Sequence, residues 1–333
     1  MDISIGEQKL TSRVVLAPMS GVTDLPYRLA VAKCAPALLV SEMVASDQLA
    51  QARPDVMRRA AGGGQLSPLV IQLAGREAHW MAEGARLAED AGADVIDINM
   101  GCPARQVTNG LSGSALMRDL DHAVSLVEAT VKATTKPVTL KMRLGWDENT
   151  INAPTLAARA EAAGVKLVTV HGRTRCQFYK GRADWKAIRQ VKEAISIPLV
   201  ANGDIESVED AKTCLHQSGA DGVMIGRGAN GRPWFLTEVH NALDGRPAMP
   251  APGPRERWDI VKAHYLDSLA LYGPNLGLRI VRKHLAAYLD HAGADWGMDL
   301  RQLKSDLLPS SDSDKVLGEL ERFFAEADKR RVA

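Results

Sequence analysis

The sequence predicts a (β/α)8 barrel followed by a helical tail, and three observations lead there. Eight short apolar runs recur between Val14 and about Ala242, and they alternate with segments of helical period. Three of the helical segments end on a glycine just before the next run. Eight strands with helices between them match the ~250 residues typical of such a barrel, and the 333-residue chain leaves room for one appendage. A doubly wound sheet is the competing arrangement, but no Gly-x-Gly-x-x-Gly follows the first run.

In chain order the runs are Val14–Ala17, Leu38–Val40, Leu69–Ile71, Val95–Ile98, Val138–Leu140, Leu167–Val170, Pro198–Ala201 and Gly222–Ile225. They are short, β-branched and bounded by turn residues, as strands buried on both faces are. Leu120, Val124, Val127 and Val131 fall at helical spacing, as do Ile188, Val191 and Ile195. Val208, Ala211 and Leu215 follow Ser207, whose Asp210 three residues on makes a capping-box pattern. Gly92, Gly164 and Gly219 stand where helices should stop, because glycine takes the left-handed conformation without steric cost. Residues 1–245 therefore read as the barrel and 246–254 as a linker, with Pro247, Pro250, Pro252 and Pro254 opposing a helix. Residues 255–333 read as an all-helical unit, with helices over Arg255–Leu271, Leu278–Ala292, Asp299–Leu307 and Asp314–Lys329.

Bulk properties narrow the function classes. A net charge of +1 neither requires nor forbids a nucleic-acid partner. Cys34, Cys102, Cys176 and Cys214 lie far apart with no CxxC pair, which predicts reduced thiols and no bound metal. No leader pattern opens the chain at Met1–Gly6 and no apolar run is long enough to span a bilayer, so a cytoplasmic monomer away from membranes is expected. The tail balances 13 basic against 13 acidic residues, yet basic residues cluster at Arg279, Arg282, Lys283 and His284, and at Lys329–Arg331.

In such a barrel the site lies at the C-terminal ends of the strands. Those ends carry Pro18-Met19, Glu42, Gln72, Asn99, Lys141, His171, Asn202 and Gly226-Arg227. An acid, amides, a cation and an imidazole converging on one mouth exceed what a structural barrel needs. The strand Val95–Ile98 runs into Asn99-Met100-Gly101-Cys102-Pro103, which sets a thiol in a loop, and 107–114 continues it as a polar segment able to move. After the last two strands, Asn202-Gly203-Asp204 and Gly226-Arg227-Gly228 offer backbone N–H groups and a guanidinium suited to a phosphate. Lys141 could stabilise an anionic reduced flavin ring, with Gln72 hydrogen-bonding it. Asp97 and Glu42 read as supporting partners.

Ala17-Pro18-Met19, Asn99-Met100-Gly101-Cys102-Pro103, Lys141-Met142-Arg143-Leu144-Gly145, His171-Gly172-Arg173 through Asp184-Trp185, and Ala201-Asn202-Gly203-Asp204 occur in one order. In these motifs the chain resembles the tRNA-dihydrouridine synthases, most closely their bacterial B-type branch, with the tail joined through Arg282-Lys283-His284. The resemblance implies an FMN enzyme that uses NADPH to reduce the C5–C6 bond of a D-loop uridine in tRNA. Hydride from reduced FMN goes to C6, and Cys102 gives the proton to C5. By matching position, Pro18, Met19, Gln72, Lys141, His171, Asn202, Gly203, Asp204, Gly226 and Arg227 hold FMN. Asn99, Arg143 and Arg173 lie near flavin or uracil, and Arg282 and Lys283 meet the tRNA. A thiol of ordinary pKa near ~8.5 suits a proton donor at neutral pH. The target base has to leave the folded RNA to reach the barrel mouth. Cys34, Cys176 and Cys214 are left as structural. No dinucleotide fingerprint is present, so NADPH and tRNA would use one flavin face in turn. Two rivals remain: an FMN barrel acting on a free pyrimidine of the dihydroorotate or dihydropyrimidine type, and a tRNA-binding regulatory protein.

Overall fold

The computed structural model describes residues 3–332; Met1, Asp2 and Ala333 lie outside it, as do the side chains of Arg331 and Val332. The start of the N-terminal reading and the last member of the Lys329–Arg331 cluster therefore fall beyond what is described.

A two-stranded antiparallel hairpin, β1 (Ser4–Ile5) and β2 (Gln8–Lys9), comes first. Eight parallel strands follow: β3 (Val14–Leu16), β4 (Leu38–Ala45), β5 (Val70–Ala74), β6 (Val95–Met100), β7 (Val138–Arg143), β8 (Leu167–His171), β9 (Leu199–Asn202) and β10 (Gly222–Ile225). Each pairs with the next, and β10 returns to β3 through Val223–Val14, Met224–Val15 and Ile225–Leu16. That closure makes the (β/α)8 barrel and excludes the doubly wound sheet. Around it lie α1 (Leu25–Cys34), α2 (Ser46–Ala50), α3 (Pro54–Ala60), α4 (Ala78–Asp90), α5 (Arg105–Thr108), α6 (Leu120–Ala133), α7 (Ala153–Ala162), α8 (Trp185–Ala194), α9 (Val208–Ser218) and α10 (Phe235–Leu243).

Local chemistry explains the ends. Asp119 and Asp184 cap α6 and α8 by accepting from His122 N and Ala187 N, and Ser207 with Asp210 forms the capping box of α9. Gly92, Gly164 and Gly219 all take positive φ, as their places after helices predict. The hairpin has no sequence forecast. It buries Ile3 and Ile5 against the strand starts Leu38, Val70, Val95 and Leu167, plugging the barrel end opposite the strand C-termini.

The linker ends one residue early. Pro254 is the first residue of α11 (Pro254–Tyr272), where its missing N–H and fixed φ cost nothing. Three more helices follow, α12 (Pro274–Trp296), α13 (Arg301–Leu307) and α14 (Ser313–Val332). Their core of Tyr265, Val281, Leu285, Leu289 and Phe324 also takes in Trp234 from the end of the barrel. Among the described residues no helix is long and apolar enough to cross a membrane.

Candidate active site

The strand C-termini surround a cavity of about 370 Å³. Its lining includes Pro18, Met19, Gln72, Asn99, Cys102, Lys141, Arg143, His171, Arg173, Asn202, Gly203, Asp204, Gly226 and Arg227. These residues come from seven of the eight strand ends, so the barrel topology alone explains their convergence.

Beneath the cavity a relay of hydrogen bonds runs across three strands. Asp97 accepts from Thr139 Oγ1 and from Gln72 Nε2, both at 2.6 Å. Gln72 Oε1 accepts from Asn99 Nδ2 at 2.7 Å. Asn99 Oδ1 in turn accepts from the backbone N–H of Gly101 at 3.2 Å and of Cys102 at 3.0 Å. Every amide orientation in this chain follows from Asp97 being an acceptor. The relay fixes the turn that presents the thiol, and the Cys102 carbonyl is held by Ser114 N and Oγ at 3.1 and 2.8 Å.

Two buried arginines build the other wall. Arg143 donates to the carbonyls of Gly101, Thr174 and Phe178 at 2.8, 2.8 and 2.9 Å, tying the thiol loop to the long loop after β8. Arg173 pairs with both oxygens of Asp204 at 2.9 and 2.6 Å and donates to the carbonyls of Lys180 and Gly181. Burial alone raises the Asp204 carboxyl, but the Arg173 bonds outweigh it and hold it below the usual carboxylate range. Arg173 Nη1 also lies 3.2 Å from His171 Nε2. A guanidinium only donates, so Nε2 accepts and the single imidazole proton sits on Nδ1. Burial, then the Arg143 and Lys141 cations, keep His171 far below the ordinary imidazole value. Burial, then Arg143, bring Lys141 down to about 8.

Glycine is required twice on this rim. Gly203 has φ +121°, and a Cβ there would come within 2.7 Å of Ala183 Cβ and 2.9 Å of the His171 ring. A Cβ on Gly228 would stand 2.3 Å from the Ile205 carbonyl, so the loops after β9 and β10 touch.

A family model described as dihydrouridine synthase matches residues 15–325. The chain belongs to the dihydrouridine synthase family. A "probable tRNA-dihydrouridine synthase" of Rhodobacter capsulatus is 50% identical over 331 residues, covering 98% of this chain and 99% of the relative. One from Rhizobium leguminosarum bv. phaseoli is 57% identical over 279 residues, covering 84% and 86%. The "tRNA-dihydrouridine synthase B" of Xanthomonas axonopodis pv. citri is 44% identical over 290 residues, covering 87% of each chain.

Several readings of this dihydrouridine synthase family member need correction. Glu42 is not at a strand end: β4 continues to Ala45, and a bulge between Val40 and Met43 shifts the register so that Met43 lines the cavity instead. Glu42 accepts from Gly21 N at 2.6 Å and holds the loop after β3. Arg282 and Lys283, expected to meet the tRNA rather than the flavin, lie outside the cavity lining. Arg282 donates to the carbonyls of Pro309 and Ser310 at 3.2 and 2.8 Å, and the Lys283 ammonium lies beside Gly21, so that a Cβ there would be 3.6 Å away. His284 is no part of a basic cluster, being buried and neutral for that reason. The polar segment after Cys102 is partly ordered, as α5 and a 3-10 turn over Gly113–Arg118. Cys214 and Cys34 are pushed up to about 12 and about 11 by burial, whereas Cys176 is exposed. Tyr179 lines the cavity without having been singled out, its ring 5.6 and 5.7 Å from the Arg143 and Arg227 guanidinium carbons. Its aromatic place in the loop after β8 was the available signal.

Proposed function

We infer that this chain is a tRNA-dihydrouridine synthase, and that its barrel binds FMN and reduces the C5–C6 bond of a D-loop uridine with NADPH. The observation that carries the reading is one thiol on the wall of the cavity that also holds Lys141, His171, Asn202 and Arg227.

The residues suit FMN. A cavity of about 370 Å³ falls within the ~300–1,000 Å³ usual for cofactor sites. Lys141 is buried against it and makes no ion pair among the described residues. A Cβ on Gly226 would find only Met19 Sδ at 3.5 Å and Ala17 Cβ at 3.6 Å, an open approach for a ligand. Pro18, Met19, Gln72, Lys141, His171, Asn202, Gly203, Asp204, Gly226 and Arg227 hold the group, with the phosphate toward Gly203 and Gly226-Arg227. Asp204 acts through Arg173 and Arg227, being a carboxylate already committed to both.

FMN held by these residues would, once reduced, be the source of the hydride that C6 of the uracil takes up. As the C5–C6 π pair moves to C5, the Cys102 thiol gives C5 its proton. The thiolate left behind faces the cations of Lys141 and Arg143, which act on it electrostatically. Lys141 balances negative charge in the reduced site, and neutral His171 contributes an N–H without competing for a proton. Gln72 retains one N–H and one lone pair for the ring after meeting Asp97 and Asn99. Asn99 and Arg143 position the thiol, and Arg173 the loop above it. The helical tail over 255–333 holds the RNA, with Lys283 at its seam with the barrel. The working form in this reading is a monomer in the cytoplasm.

Visible absorption of the purified protein tests this. Flavin bands should bleach with NADPH in the absence of oxygen and return when unmodified tRNA is added. Cys102→Ala should bleach normally but reoxidise with tRNA at least ~100-fold more slowly, the loss expected for a positioned acid. Return of the bands with free uracil or orotate, and not with tRNA, would move the activity to a small-molecule reductase. A protein that cannot take up FMN would end the reading.

A further inference from the structure

At the seam between barrel and tail, two imidazoles and a carboxylate meet. Asp24 caps α1, His264 lies on α11 and His284 on α12. One candidate ligand atom from each lies within 4.8 Å of the other two, and all three residues are buried. None of them lines the flavin cavity. His264 Nδ1 pairs with the Tyr288 hydroxyl at 3.1 Å, leaving Nε2 without a partner. His284 is 1% exposed, and neither of its ring nitrogens has a partner. A buried polar atom without a partner is costly, so three nitrogens left unpaired in one cluster call for a ligand.

We propose that Asp24, His264 and His284 bind one divalent transition-metal ion of the Zn2+ class, which pins the helical tail to the barrel. Neutral imidazole and carboxylate are its ordinary ligands, and three protein ligands leave a fourth position for water. Corners 4.8 Å apart place their centre about 2.8 Å from each, against about 2.1 Å for a zinc–nitrogen bond, so each ligand needs to move by less than an ångström.

The supporting bonds suit the role. The tautomer with its proton on His264 Nδ1 donates to the Tyr288 hydroxyl 3.1 Å away and offers the Nε2 lone pair to the ion. Tyr27 N and the Tyr272 hydroxyl each donate to Asp24 at 3.1 Å, holding the carboxylate in place. The Tyr27 ring stacks on His284 with centroids 5.1 Å apart. Among the surrounding charges, Glu42 acts on Asp24, Lys283 acts on all three residues and Lys33 on His264. The two carboxylates offset the ion's own double charge, while Lys283, Lys33 and Arg28 act as cations around the site.

Full-length protein stripped with a chelator is titrated with Co2+, followed by visible ligand-field absorption, by competition with Zn2+ and by thermal unfolding. One ion per chain is expected, with no sulfur-to-metal charge-transfer band, since no cysteine belongs to the site. Free Zn2+ a hundredfold above its dissociation constant should raise Tm by about 4 °C. Asp24→Asn keeps the helix cap, since Asn caps as well as Asp, and His264→Gln keeps most of the side-chain volume. Both variants should keep the far-ultraviolet spectrum and bind at least about 100-fold more weakly, more than loss of a supporting partner costs. Should one variant fail to fold, the other decides. Wild-type protein that takes up neither ion, equal binding in a folded variant, or a sulfur charge-transfer band would each overturn the site; a buried water on these atoms would give the first result.

Discussion

Lys141 carries its charge where burial disfavours it, and that conflict has a measurable sign. Its ordinary pKa of 10.5 falls to about 8 in the fold. The unfolded chain therefore binds a proton that the folded protein releases between about pH 8 and pH 10.5. Stability contributed at this site rises with pH across that window, and below pH 8 the full penalty is present. Lys141→Met should stabilise the protein at pH 7 by on the order of 3 kcal/mol while abolishing activity, a trade of function for stability. Urea midpoints of the two proteins should converge toward pH 10.5; a constant difference would show that packing, not charge, sets it. The placement of Lys141, Cys102 and His171 was legible because each sits where an apolar run stops, and a barrel sends all such ends to one mouth. Tyr179 was not, because no periodicity tells which residue of a long loop turns inward.

The loop after β8 owes its shape to arginine rather than to regular structure. Arg173 grips both oxygens of Asp204 and the carbonyls of Lys180 and Gly181, and it is 2% exposed. Arg173→Lys keeps the charge but loses the two-pronged pairing and the carbonyl bonds. About 1–3 kcal/mol of stability should go, since the half-buried Asp204 loses its two-pronged partner and the Lys180 and Gly181 carbonyls lose their donors. Limited proteolysis should then cut first within residues 175–183; an unchanged cleavage pattern would mean that Arg143 alone holds the loop. Such side-chain-to-carbonyl scaffolds leave no pattern in the sequence, whereas all eight barrel strands did, through alternation of apolar runs with helical periods. The bulge in β4 marks the limit at this scale. One extra residue re-aimed Glu42 and Met43, and nothing around Ser41 announces it.

Across the molecule, the angle between barrel and tail is fixed at a few close contacts. The Tyr272 hydroxyl at the end of α11 donates to Asp24 at 3.1 Å, and His291 on α12 lies 3.1 Å from the Asn230 carbonyl. Gly231 is the tightest of them: with φ +76°, its Cβ would stand 2.5 Å from the carbonyl carbon and oxygen of Ala287 in α12. The tail helices could be read from sequence, but their docking could not, because Asp24, Gly231, His264 and His284 are brought together only by the fold. Gly231→Ala forces α12 away, and crowding together with strained φ should cost about 2–4 kcal/mol. Gly273 has φ +78° and nothing within 4 Å of its would-be Cβ, so Gly273→Ala carries the backbone strain without the clash. If the tail positions tRNA against the barrel mouth, Gly231→Ala should slow flavin reoxidation by tRNA while reduction by NADPH proceeds at the wild-type rate. Gly273→Ala should change both little. Loss of bound flavin in Gly231→Ala would instead mean that the strain is relieved into the Arg227–Ala229 turn, leaving the tail in place. Equal slowing in both variants would trace the defect to backbone conformation, and the docking contact would then have no part in catalysis.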